Sequence, residues 1–274
     1  MPTDKNLFLY DLSVVAIMKN EAPYVKEWLD YHILAGVDHF YIYDNESPDN
    51  LKEILKPYIN AGIVTYIFYP GKAMQQPAYN DAIQKFRFFC RYMAFVDGDE
   101  FILPKDNRSI VEVVDEILAN KKNAGGLVIN WIFYGSNFQE KADYSKGVLE
   151  RFTRHNKNIS RSIKTIANPR KVKFLFTPHY MVYFDGCHQI DENSLHWFPN
   201  SDYKISDKII MNHYYHKSLE EYAKKASRGD VAYGKDNWYS VKNFSHEKDN
   251  EVFDDSILKY RATRYYNGGG NKAC

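Results

Sequence analysis

Three carboxylates lie within four positions of the chain, in the run Asp97-Gly98-Asp99-Glu100 between two apolar segments. An apolar run that ends in acids is typical of a strand that delivers side chains to the edge of a sheet. Two aspartates separated by one residue can direct oxygens at one hard divalent cation, and such a cation also accepts phosphate oxygens. The stretch therefore indicates either a metal–diphosphate site or a solvated acidic turn. Strand-like alternation directs Glu100 away from Asp99, so we expect it to brace the turn.

Two further polar clusters follow predicted strands in the first half of the chain. They are Lys19-Asn20-Glu21, after the apolar residues 13–18, and Asp44-Asn45-Glu46-Ser47, after residues 39–43. In an open α/β sheet, ligands bind beyond the carboxyl ends of the strands. Because the topology brings all three clusters to one rim, a ligand site is favoured over a chance run of acids.

The elements that position these clusters follow from the apolar periodicity. Strands are predicted at 13–18, 39–43, 63–68 and 92–96, with helices between them at about 23–35, 48–61 and 78–91. This alternation predicts an α/β domain with a mostly parallel central sheet flanked by helices. No GxGxxG follows the first strand and no GxxxxGK[ST] is present, which disfavours a dinucleotide-binding oxidoreductase and a P-loop NTPase.

The second half predicts a less regular arrangement. We expect a helix at 110–120, strands at 127–136, 171–176, 181–184 and 209–215, a helix at 218–227, and helical fragments at 251–265. Residues 137–165 are polar and are predicted to be irregular. Within them, Arg161 and Lys164 either neutralise a leaving group or belong to a solvated loop. His213 either completes a metal shell of oxygen and nitrogen or is a buried histidine bonded to backbone.

Composition narrows the class of protein. The 274 residues carry a formal charge of only +1, which does not favour a nucleic-acid partner. Three cysteines far apart form neither a disulfide framework nor a zinc ribbon, and they fit a reducing compartment. We find no signal peptide or transmembrane segment and expect a cytoplasmic protein, with peripheral membrane association left open. Nothing in the sequence predicts an oligomeric state.

Several motifs in this order resemble glycosyltransferases of the GT-A fold. They are most similar to glycosyltransferase family 92 and its bacterial family-2-like relatives. The motifs are residues 15–21, 28–32, 43–47, 95–101, 131–136, 164–169 and 212–218 with Glu221. The likeness covers about residues 12–230. Tyr134 departs from the pattern, since family members more often have Phe there.

The resemblance implies a GT-A-like, Rossmann-like fold. It implies one catalytic domain over 1–230, with a nucleotide-sugar half at about 10–105 and an acceptor-side α+β half at about 106–230. Residues 231–274 would form a C-terminal extension, partly helical with a flexible end.

The resemblance also implies a function and a site. It implies transfer from a nucleotide-sugar donor, UDP-linked, to a glycan or glycoconjugate hydroxyl, with Mn²⁺ or Mg²⁺ and with inversion at the anomeric carbon. The implied metal ligands are Asp97, Asp99 and His213. The implied donor-binding residues are Lys19, Asn20, Glu21, Asp44, Asn45, Ser47 and Asp97, with Arg161 and Lys164 to assist the leaving diphosphate. Inversion needs a base, and Asp185 and Glu140 are the acids we select from the acceptor-side half.

Two other functions fit the same residues. A nucleotidyltransferase or related phosphotransfer enzyme would use the same combination of acids, metal and diphosphate. A carbohydrate-binding protein would instead use the 16% of aromatic residues, and its acids would hold a structural ion.

Overall fold

The computed structural model describes residues 7–198, 206–227 and 244–266. The strands in these ranges are β1 (Tyr10–Met18), β2 (His39–Asp44), β3 (Val64–Phe68), β4 (Cys90–Phe95), β5 (Glu100–Pro104), β6 (Ala124–Phe133), β7 (Arg154–His155), β8 (Ile163–Ala167), β9 (Val172–Thr177), β10 (Tyr180–Tyr183), β11 (His188–Ile190), β12 (Ile209–His213) and β13 (Val252–Phe253). The helices are α1 (Ala22–Leu34), α2 (Leu51–Asn60), α3 (Gln75–Phe86), α4 (Ile110–Leu118), α5 (Val148–Arg151), α6 (Leu219–Ser227) and α7 (Ser256–Tyr266).

Nine strands form the central sheet in the order β3-β2-β1-β4-β8-β6-β12-β5, with β11 also paired to β6. In this described sheet β5 and β8 run opposite to the rest. The predicted mixed α/β architecture with a mostly parallel sheet and flanking helices is therefore confirmed. The β9–β10 hairpin lies outside this sheet and is tied to α3, where Asn80 exchanges hydrogen bonds with the Leu175 backbone.

The register of β1 brings the polar clusters together. Met18 pairs with Asp44 at the end of β2, and Val15 pairs with Phe95 at the end of β4. The three strands are buried along almost their whole length, and the polar clusters lie where the strands end. The three clusters consequently share one rim of the sheet, as the alternation of elements predicted.

Five described strands were not predicted, β5, β7, β8, β11 and β13, and two of them, β5 and β8, adjoin the acidic turn. The prediction that residues 137–165 are irregular is wrong at 148–151, which form α5, and from residue 163, where β8 lies antiparallel between β4 and β6. β8 is wholly buried although it contains Lys164 and Thr165, which hid its apolar pattern. β5 begins at Glu100 and pairs with β12, so the acidic turn leads from β4 across the rim to a distant strand.

The described part of the C-terminal segment packs on the same core. Ile257 and Tyr260 of α7 are buried in the main apolar cluster, and β13 pairs with β7. α7 confirms the helix predicted at 251–265, whereas the predicted flexible end lies outside the described residues. None of the described helices has the length and apolarity needed to span a bilayer.

Candidate active site

Asp97 opens the acidic turn, and both of its carboxylate oxygens accept hydrogen bonds. Oδ1 accepts from Gln75 Nε2 at 2.8 Å and from the Tyr79 hydroxyl at 2.7 Å. These two donors lie one turn apart on α3, which places them on the same face of the helix. Oδ2 accepts from Lys164 Nζ at 2.9 Å. The sequence reading missed Gln75 and Tyr79, because the helix was predicted to begin only at residue 78 and Gln75 precedes it.

Lys164 connects Asp97 with Glu100 beneath the turn. Its ammonium lies 3.3 Å from Glu100 Oε2, and its side chain is only 1% exposed. Burial lowers the pKa of Lys164, but the two carboxylates outweigh this and hold it above the usual value. Burial raises the pKa of Asp97, yet the lysine brings it below normal, whereas the pKa of fully buried Glu100 stays well above normal.

Glu100 braces the turn, as the alternation predicted. Its Oε2 accepts from the backbone N–H of Asp97 at 2.9 Å. The indole N–H of Trp28 donates to the carbonyl oxygens of Glu100 and Asp97, at 2.9 and 3.1 Å. The backbone of the turn is thus fixed from α1 as well as from its own side chain.

Asp99 is the second acid of the turn and faces the C-terminal half. Its Oδ2 accepts from Lys225 Nζ at 2.6 Å, and its Oδ1 lies 3.4 Å from His213 Nε2. Burial raises the pKa of Asp99, but Lys225 and His213 bring it well below normal, so the carboxylate is charged. Burial lowers the pKa of His213, which favours the neutral imidazole.

The three predicted metal ligands differ in how well they fit a divalent cation. A charged carboxylate next to a neutral imidazole is a suitable pair of donors, so His213 and Oδ1 of Asp99 fit, while Oδ2 of Asp99 is held by Lys225. Asp97 fits poorly, because Lys164 would have to leave Oδ2 or the α3 donors would have to leave Oδ1. Within the described residues, no group of three or more acids, histidines or cysteines is arranged to hold an ion.

The predicted donor-binding residues of β1 and β2 interlock at the rim. The Ser47 hydroxyl accepts from the Asn20 N–H at 3.1 Å, and Asn20 adopts a left-handed conformation with φ of 59°. Asp44 accepts from the Ser47 N–H and from the Tyr66 hydroxyl. Asn45 donates instead to the carbonyl groups of the loop after β3. Asp44 and Asn45 thus shape the loops around Asn20 and Ser47.

Glu21 links this rim to the acidic turn. It is buried at the start of α1, and a Cβ added at Gly98 would lie 3.3 Å from Glu21 Cγ. Gly98 therefore lets the two clusters approach each other. Lys19 lies half-buried ahead of them, at the end of β1.

A cleft of about 630 Å³ opens beside these clusters. Its walls come from the loop after β1, the start of α1 and the segment from β12 through α6. They are Asn20, Glu21, Ala22, Pro23, Tyr24, Asp49, Asn50, Tyr144, Tyr215, His216, Lys217, Glu221, Lys224, Lys225 and Ser227. Lys225 lies 4.3 Å from the Tyr215 ring centroid, and Lys217 lies 4.3 Å from that of Tyr24. The cleft combines cations with aromatic rings next to Asp99.

A buried ion pair positions α6 on this cleft. Both guanidinium ends of Arg151 donate to the Glu221 carboxylate, at 2.9 and 2.6 Å, and both side chains are almost completely buried. Glu221 also accepts from the backbone N–H of Ser218, while the Ser218 hydroxyl accepts from the Glu221 N–H, which forms a capping box. Tyr24 adds a 3.0 Å hydrogen bond to the same carboxylate.

The remaining predicted residues lie farther out. Arg161 is exposed just ahead of β8. Glu140 is 62% exposed and pairs with His246 at 2.6 Å, near the start of α6. Asp185 is exposed after β10, beside Phe184, whose N–H bonds to Lys171 and whose ring packs under Arg87. This position is at the opposite end of the sheet from Asp97, so we do not carry Asp185 into the mechanism.

His216 is a basic group of the cleft that the sequence reading did not select. Its Nδ1 lies 3.4 Å from Asp249 Oδ2, and both side chains are 3% exposed. Burial lowers the pKa of His216 to about 4 and raises the pKa of Asp249. The signal was absent from the sequence because Asp249 lies in the C-terminal segment, for which no motif was recognised.

Comparison with known proteins gives one consistent family. The family model described as glycosyltransferase family 92 matches residues 14–263, and so extends past residue 230 into the C-terminal segment. The glycosyltransferase family 92 protein RCOM_0530710 of Ricinus communis is 22% identical over 237 residues, 85% of this chain and 40% of the relative. The galactan beta-1,4-galactosyltransferase GALS2 of Arabidopsis thaliana is 30% identical over 103 residues, 33% of this chain and 19% of the relative.

The structural neighbours are more distant. The crystal structure of S. aureus TarS 1-349 superposes with a TM-score of 0.43 at 15% identity, covering 94% of this chain and 72% of that one. The chain spans about two fifths of the length of the family 92 relatives that match it over most of its residues.

Proposed function

The chain belongs to glycosyltransferase family 92, and from this we propose that it moves a sugar from a nucleotide-sugar donor to a hydroxyl of a glycan or glycoconjugate. The donor we propose is a UDP-sugar. The observation that carries the proposal is the arrangement at the rim, where charged Asp99 and the ammonium groups of Lys217 and Lys225 adjoin one cleft. A diphosphate with a bound cation fits such a site, because its phosphates would pair with the ammonium groups and its cation would pair with the carboxylate.

We propose Mn²⁺ or Mg²⁺ as the cofactor, held by Asp99 and His213. When bound, such an ion would offset negative charge on the leaving diphosphate. Asp97 keeps its contacts with Lys164, Gln75 and Tyr79 in this proposal, and it acts by holding the turn.

The residues of the chain have separate tasks in the transfer. Cleavage of a sugar–diphosphate bond passes through an oxocarbenium-like state while charge builds on the leaving group. Lys217 and Lys225 face that charge from the β12–α6 segment. Asn20 and Ser47, joined by their hydrogen bond, shape the nucleotide side of the cleft.

We propose an inverting reaction, in which a base on the opposite face removes the acceptor proton. Two groups compete for this role. Glu140 is exposed on the acceptor side and bonds to His246. His216 lines the cleft, is held neutral by burial, and has its Nδ1 3.4 Å from Oδ2 of Asp249.

Galactose is the first donor sugar to test, because matched relatives carry the name galactan beta-1,4-galactosyltransferase. The experiment measures UDP release from UDP-galactose, UDP-glucose and UDP-N-acetylglucosamine, with Mn²⁺, Mg²⁺ or EDTA. We expect release from at least one donor, dependence on the cation, and its loss in Asp99→Asn. Pyrophosphate release from a nucleoside triphosphate would instead support a nucleotidyltransferase. Glycan binding without any nucleotide would support a binding protein.

A further inference from the structure

Lys217 is a buried cation that has no carboxylate within hydrogen-bonding distance in the described part of the chain. The residue is 5% exposed, and its ammonium contacts the face of the Tyr24 ring. The other buried cations of the described residues each have carboxylates within hydrogen-bonding distance: Arg91 with Asp11 and Asp115, Arg151 with Glu221, and Lys164 with Asp97 and Glu100. Buried charges are normally paired in this way, because an unpaired one is costly. Lys217 therefore differs from the other buried lysine and arginine residues in the described part of the chain.

The backbone at Lys217 directs this charge to the cleft. The residue has φ of 52°, in the left-handed region that non-glycine residues seldom adopt. It stands between β12 and α6 and lines the cleft together with Asn20 and Lys225. Such strain persists only where the surroundings enforce it, and it is concentrated at ligand sites. Burial lowers the pKa of Lys217, although Asp99 and Glu21 oppose the shift. An anionic ligand in the cleft would supply the direct hydrogen-bonded contact that these carboxylates do not make.

The neighbours of Lys217 identify the class of anion. Lys225 also lines the cleft, so its ammonium group and that of Lys217 both adjoin it, whereas Lys224 at the edge of the cleft is exposed and paired with Glu220. Lys225 bonds to Asp99, the residue that we propose as a cation ligand. A diphosphate carries enough negative charge to engage several cations, whereas one carboxylate does not. Asn20 lines the wall opposite the β12–α6 segment, and the proposed function puts the nucleotide on that wall and the outer phosphate on the β12–α6 side.

We propose that Lys217 binds the terminal phosphate of the leaving nucleoside diphosphate and makes the cleft selective for diphosphates over monophosphates. The proposal rests on the proposed function, because it takes the nucleotide diphosphate as the leaving group. The Tyr24 ring contacts the ammonium of Lys217, and the pair of Arg151 and Glu221 fixes the helix that follows.

Titration calorimetry with UDP and UMP tests this assignment, with GDP and GMP run in parallel. The proteins are wild type, Lys217→Met and a matched control, Lys224→Met, whose lysine lies in the same cleft but is 59% exposed and paired with Glu220. Each titration is done with Mn²⁺ and with EDTA. We expect wild type to prefer UDP, Lys217→Met to bind UDP about tenfold more weakly with UMP changed less than about twofold, and the control to stay near wild type.

Thermal unfolding without ligand separates binding from a structural role. Removing an unpaired buried charge should leave the melting temperature of Lys217→Met at or above that of wild type. If that variant does not fold, Lys217→Gln is judged by the same UDP-to-UMP ratio. A wild-type ratio in a folded variant overturns the assignment of Lys217. If wild type itself binds none of these nucleotides, the proposed function fails, and the assignment fails with it.

Discussion

The ammonium of Lys164 lies 2.9 Å from Oδ2 of Asp97, although 67 positions separate the two residues. The contact forms because β8 enters the sheet antiparallel, next to β4, and carries its lysine under the turn that follows β4. The protein thus supplies its own positive charge to the first acid of the motif. Asp99 is instead bonded to Lys225, which lines the cleft, and we therefore propose different roles for the two aspartates.

Replacing Lys164 by methionine should cost more stability than any other lysine substitution at the site. The change keeps the length of the stem but leaves fully buried Glu100 and half-buried Asp97 without the cation that they share. Breaking a buried pair in this way costs about 3–5 kcal/mol. Urea unfolding at neutral pH measures the loss.

The matched control is Lys26→Met. Lys26 pairs with Asp30 on the exposed face of α1 and is 68% exposed, so its loss should cost less than about 1 kcal/mol. A similar, small loss for both variants would mean that Lys164 contributes little to the folded state.

The first half of this fold could be predicted because its contacts follow the local pattern. Apolar runs that end in Glu21, Asp44 and Asp97 located three strands and, through parallel pairing, one rim. The arrangement of β8 could not be predicted in this way, because its pairing depends on partners far away in sequence. A strand that contains Lys164 resembles a polar loop until the acids that pair with it are known.

The cleft was predicted only in part, for a related reason. His213 was selected because it follows an apolar run. The proposed roles of Lys217 and Lys225, in contrast, could be recognised only once the structure places α6 against Asp99. That placement depends on the pair between Arg151 and Glu221, which are 70 positions apart. The local sequence pattern contains no information about a contact between residues so far apart in the chain.

We predict that Asp99→Asn weakens Mn²⁺ binding at least about tenfold, whereas Asp97→Asn changes it less than about threefold. The reason is that Asp99 adjoins neutral His213, while the oxygens of Asp97 are occupied by protein donors. Electron paramagnetic resonance of free Mn²⁺ measures both constants without any substrate. Equal losses of Mn²⁺ affinity in the two variants would instead support the three metal ligands expected from the sequence, Asp97, Asp99 and His213.

Stability should fall in acid through the Glu221 carboxylate. Burial raises its pKa, but hydrogen bonds from Arg151 and Ser218 outweigh burial and bring the pKa to about 2, from 4.5 in the unfolded chain. Because the folded pKa is the lower one, the contribution is complete above about pH 4.5 and is lost as the pH falls toward 2. The full contribution is about 3 kcal/mol.

The measurement compares urea unfolding of wild type and Glu221→Gln at about pH 5.5 and about pH 3. The advantage of wild type should shrink by about 2 kcal/mol between these values, because other acids titrate alike in both proteins. An advantage that does not depend on pH would contradict the assigned shift.

A single methyl group at Gly98 should disturb the donor side of the cleft without unfolding the protein. In Gly98→Ala, the new Cβ would lie 3.3 Å from Cγ of Glu21, so that side chain must move by a few tenths of an ångström. We expect a severalfold rise in the donor KM and a stability change below about 1 kcal/mol, since Glu21 lines the cleft and its shift is small. Steady-state kinetics and urea unfolding measure the two effects.

The same change made on a Glu21→Ala background removes the steric partner, so it should add nothing further. If it still raises KM there, the effect comes from the backbone of the turn, and the proposed contact between the two clusters is wrong.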